Sequence, residues 1–127
     1  MIVTKTFTAQ ATFGLQKSYS NTIITARELK KSLLKVQAEM KQELDLVLST
    51  KVTFCEIVFL GQEEPSVTME WIQYPKFLIE EDQLQRGILV MVEKLMDALE
   101  QNRVVIIFPR ETIMLEKSAE IDPQIKL

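Results

Sequence analysis

The chain has 127 residues, of which 46% are hydrophobic and 26% charged, with a net charge of −3, one cysteine and no histidine. That length fits one domain, able to bury roughly 65–70% of its unfolded surface around a single core. The missing histidine removes Ser-His-Asp and Cys-His catalysis in their usual forms and every His-ligated zinc site, and the lone Cys55 removes an intrachain disulfide. No apolar run approaches the ~20 residues of a membrane helix, and no basic-apolar-small leader pattern opens the chain. An acidic balance argues against broad nucleic-acid binding. A cytoplasmic protein without membrane contact, metal or cofactor is the expectation.

Ile2 to Phe13 alternates with period two and predicts a half-buried strand. Val3, Phe7, Ala9, Ala11 and Phe13 form one face; Thr4, Thr6, Thr8, Gln10 and Thr12 form the other. After a polar connection, "TARE" predicts a helix with Thr25 as N-cap and Glu28 three residues on, a capping box. Leu29, Leu33, Val36, Met40, Leu44 and Val47 continue it as one apolar stripe.

"KVTFCEIVFL" (Lys51–Leu60) is apolar on both parities and predicts a strand covered on two sides. "GQEEP" is turn chemistry, and Ser66–Tyr74 alternates again up to Pro75. "EEDQ" places acids at the start of a second helix, where the helix dipole favours them. Its apolar face is Leu84, Ile88, Met91, Val92, Leu95 and Leu99, and Gly87 within it marks close packing. Arg103–Phe108 predicts a buried strand and "TIMLE" a short one. Residues 1–117 thus read as a single α+β domain and 118–127 as a C-terminal tail, in which Ile121, Ile125 and Leu127 are candidates to dock.

The order β-α-β-β-α-β predicts a ferredoxin-like, split β-α-β fold: a mostly antiparallel sheet with both helices on one face. The same order resembles small tautomerase-like proteins, the alternative arrangement, and dimeric ferredoxin-like proteins. The tautomerase resemblance implies a cofactor-free isomerase using an N-terminal proline as base; Ile2 stands there instead.

The candidate surfaces follow from one assumed register. A hairpin loop centred on Glu63 sets Glu56 opposite Glu70, Phe54 opposite Ile72, Val58 opposite Thr68, and Cys55 beside Trp71 in the core. The helix-free face then carries Thr4, Thr6, Thr8, Phe54, Val58, Thr68 and Ile72, and its apolar share predicts a homodimer or higher homo-oligomer. Glu56 and Glu70 are a carboxylate pair on that face. "YPK" and "FPR" end two strands expected to flank the first, so Tyr74, Lys76 and Arg110 are candidates to meet at one edge and hold a small anionic ligand. A small binding or interaction module is the leading functional expectation, and an isomerase-like enzyme the alternative.

Overall fold

The computed structural model describes residues 1–123; Ile125 and Leu127 lie outside the described residues. Seven elements follow in order: β1 (Thr8–Gly14), α1 (Ala26–Leu44), β2 (Lys51–Phe59), β3 (Gln62–Ile72), α2 (Glu81–Ala98), β4 (Arg103–Ile107) and β5 (Thr112–Glu116). They build one sheet of order β2-β3-β1-β4-β5 in which every neighbouring pair is antiparallel. This is the split β-α-β arrangement with a fifth strand added at one edge. Two β-α-β units would pair each unit's strands in parallel, so the tautomerase-like alternative is excluded.

The alternation of β1 sorts the molecule into two sides. Ala9, Ala11 and Phe13 are buried, together with Val67, Met69 and Trp71 of β3 and Val104 and Ile106 of β4. The helices add Leu29, Leu33, Val36 and Met40 from α1 and Leu84, Ile88, Met91, Val92, Leu95 and Met96 from α2. Thr25 caps α1 as its sequence predicts, its hydroxyl accepting from the Glu28 backbone at 3.1 Å. The stripe stops at Met40, however. The helix ends at Leu44 with Asp45 in the left-handed region, so Val47 is exposed while Leu46 and Leu48 turn into the core. Gly87 gives Leu46 its place, because a Cβ there would collide with the Leu46 side chain.

Three expectations are corrected. β1 begins at Thr8, opposite the last paired residue of β3, Ile72, so Thr4 and Thr6 precede the strand. β2 is an edge strand with most of its residues exposed, where the sequence predicts cover on both sides. The hairpin turns at Leu60–Gly61, both at positive φ, as a two-residue loop matched to strand twist requires. Gln62 to Pro65 therefore belong to β3, and Glu56 pairs with Pro65, five residues before Glu70. An odd shift turns every β2 side chain to the other face. Phe54, Glu56 and Val58 share the helix side with Val67 and Met69, while Thr53, Cys55 and Ile57 lie on the open side. Cys55 accordingly meets the Thr68 hydroxyl at 3.6 Å, away from Trp71.

The described part of the tail is stitched to the end of the sheet. Asn102 bonds Ser118 and Glu120, Arg103 pairs with Glu116 at 2.6 Å, and the Tyr19 hydroxyl donates to the Glu120 carbonyl. Replacing Gly87 with Leu is expected to cost about 1–3 kcal/mol by overpacking against Leu46. Urea denaturation checks it: the midpoint should fall while the slope stays constant.

Candidate functional site

Two adjoining cavities open where β1 begins and β3 and β4 end. The first, of about 790 Å³, is lined by Thr8 and Gln10 of β1, Glu70 and Ile72 of β3, Ile107 of β4, Ser49 to Lys51, and Tyr74, Phe108 and Pro109. The second, of about 750 Å³, lies between residues 45–49 and the connection from Tyr74 to Glu80. Both share Ser49, Trp71, Ile72 and Tyr74 as a common wall. Each volume falls within the ~300–1,000 Å³ usual for small-molecule sites.

The wall is held from behind by partly buried hydrogen bonds. The Trp71 indole donates to the Thr50 hydroxyl at 2.9 Å, and that hydroxyl donates to the Leu48 carbonyl at 3.1 Å. Gln37 of α1 donates to the same carbonyl at 3.2 Å. The outer rim is a closed loop. Gln73 donates through its amide to the Ile79 carbonyl and accepts from the Ile79 backbone N–H, so both ends of residues 74–78 are tied. Within it the Tyr74 and Phe77 rings stack with centroids 5.9 Å apart.

Lys51 and Glu70 are the two charged residues lining the first cavity. They are direct partners across the β2–β3 ladder, with Nζ to Oε2 at 3.6 Å. The second cavity is lined by Asp45, ion-paired to Lys41, and by Glu80. The cleft therefore has apolar walls with hydroxyl, amide and carboxylate groups, and its one lining cation is already engaged.

Of the residues singled out from sequence, Tyr74, Glu70, Thr8 and Ile72 come together here, and Pro109 of "FPR" joins them. The two strand exits do flank the start of β1. Lys76 and Arg110 line neither cavity; Arg110 pairs with Glu81 at the start of α2, at 3.5 Å. Glu56 lies on the opposite face of the sheet from Glu70, so no opposed carboxylate pair forms. Thr68 is on the open face but bonds Thr12, at 2.9 Å. Sequence reasoning missed Ser49, Thr50, Lys51 and Ile107. Gln10, which interrupts the threonine series, was its one visible signal for the cavity floor.

At the far end of the open face, Glu64 lies over Gly14, where a Cβ would meet its carboxylate. Burial, aided by the nearby charge of Asp122, holds the Glu64 carboxyl above the ordinary range.

No protein-family model and no curated protein matches the chain. Two solved structures share its fold. A phage SAM lyase in the apo state aligns with a TM-score of 0.69 at 15% identity, covering 90% of this chain and 92% of the other. A phage SAM lyase in complex with S-methyl-5'-thioadenosine aligns with a TM-score of 0.65 at 12% identity, covering 95% and 97%.

Because folded Glu64 holds its proton more tightly than the unfolded chain, its contribution to stability is greatest below the unfolded value and is lost as pH rises through the folded one. Glu64→Gln is expected to raise the melting temperature near pH 7, with the gain vanishing at about pH 4. Thermal melts of both proteins across that range check it.

Proposed function

We propose that the chain is a small-ligand-binding domain whose cleft takes an adenosine-type sulfonium or thioether, the chemistry of SAM and S-methyl-5'-thioadenosine. The supporting observation is the cavity of about 790 Å³ on the open sheet face, in a fold like that of the SAM lyases. Its apolar walls of Ile72, Tyr74, Ile107 and Pro109 suit a flat base and an alkylthio group. The Gln10 amide, both donor and acceptor, suits the edge of a purine, and Glu70 suits sugar hydroxyls or a sulfonium charge. A cationic or neutral ligand fits this lining better than the anion suggested by Lys76 and Arg110.

Titration of the purified chain with each compound tests this reading. Trp71 is the only tryptophan and forms the shared wall, so its fluorescence reports occupancy. At a hundredfold excess over Kd, ligand should add about 2.7 kcal/mol of stability. Ile107→Lys, at an exposed position inside the cavity, is expected to weaken binding at least about tenfold, roughly 1.4 kcal/mol, while leaving the fold intact. Absence of a fluorescence or thermal response to both compounds at millimolar concentration defeats the proposal. Release of S-methyl-5'-thioadenosine from SAM would extend it to catalysis.

Self-association through the open face is a second proposal, favoured by its exposed Ile57, Ile72, Val105, Ile107 and Met114. Apolar area of that kind, gathered on one face, is a common mark of an interface. Sedimentation at micromolar concentration should show an oligomer that Val105→Lys with Met114→Lys converts to monomer; a monomeric parent rejects this arm alone.

A further inference from the structure

We infer that Lys51 is a built-in counter-ion for Glu70, displaced by a positively charged sulfonium and left in place by a neutral thioether, so that this pair sets the preference of the cleft between the two. The inference rests on the proposed nucleoside site and adds what selects among its ligands.

Four observations carry it. Among the described residues, Lys51 and Glu70 are the only charged ones lining the first cavity, and they neutralise each other at 3.6 Å. The ladder places them side by side, so they share a face whatever their rotamers. The Lys51 side chain is 76% exposed and has open solvent to move into, whereas Glu70 is 37% exposed and set in the sheet. The charged groups lining the adjoining cavity are Asp45, paired with Lys41, and Glu80, so among the described residues no second cation lines that side.

The physical consequence is an exchange of cations. An exposed ion pair is worth only about 0–1 kcal/mol, so releasing Lys51 costs little. A ligand seated in the cleft cuts Glu70 off from water, where an unpaired carboxylate is disfavoured and a fixed positive charge on the ligand restores neutrality. A thioether has no such charge to offer.

The experiment compares SAM with the thioether that lacks only its sulfonium methyl and keeps the same amino-acid tail. Affinities are read from the initial change in Trp71 fluorescence, before any turnover. Lys51→Met is expected to tighten SAM binding about two- to fivefold, in line with an exposed ion pair, and to leave the thioether unchanged. Glu70→Gln should lower the SAM preference, and Lys51→Met added to it should then have no effect. Equal change for both ligands in Lys51→Met, or the same gain in the Glu70→Gln background, overturns the counter-ion role, because either result describes a general field or a packing change. Wild-type binding with a preference that Lys51→Met does not alter removes this inference and leaves the nucleoside site standing. Failure of the wild type to bind either compound removes both.

Discussion

The structure depends on β1 being hydrogen-bonded along both edges. Paired with β3 along its length and with β4 through Gln10–Thr12, the strand has side chains that alone distinguish one face of the sheet from the other. Small Ala9 and Ala11 leave room on the covered face for large neighbours, Trp71 and Met69 across the ladder and the helical core above. Thr8, Gln10 and Thr12 then necessarily occupy the other face. Antiparallel pairing with both β3 and β4 brings the ends of those two strands to the start of β1, and the cleft forms there.

The cleft is more than a gap between strand ends. Its back wall is a core residue, Trp71, whose indole is fixed by a hydrogen-bond chain running through Thr50 to a loop carbonyl that α1 also reaches. Its rim is a loop locked by one glutamine side chain bonded to both polar groups of Ile79. Prior ordering of this kind reduces what a ligand must organise on binding. In the first cavity the charged lining is the single pair of Lys51 and Glu70. Arg110, singled out from sequence, is turned instead to Glu81 at the start of α2, which Lys5 also meets.

Some of this was legible in the sequence because it depends on local period and local chemistry. The N-cap at Thr25, the apolar face of α2, the alternation of β1 and the order of elements are each written within a few turns or residues of chain. Element order and helix faces were enough to reach the split β-α-β fold. The carboxylate pair and the placing of Phe54 and Val58 on the open face failed for one reason. Pro65 and the neighbouring acids resemble a turn, while the actual turn uses Leu60, a residue seldom placed at positive φ, followed by Gly61. That displacement moved Phe54, Glu56 and Val58 across the sheet and exchanged Glu56 for Lys51 as the neighbour of Glu70.

By itself, then, the sequence determined the type and order of the main elements and which faces of β1 and α2 are buried, because periodicity records a side chain's direction relative to its own backbone. It also determined that Tyr74 and Pro109 leave their strands beside the start of β1, since that follows from topology. Only the tertiary structure decided the partner of Glu70, the cation that neutralises it, and the loop residues Ser49 and Thr50 that complete the cleft. Those depend on hairpin register and on where α1 ends, at Asp45 in a left-handed conformation, and both are set by contacts between segments distant in the chain.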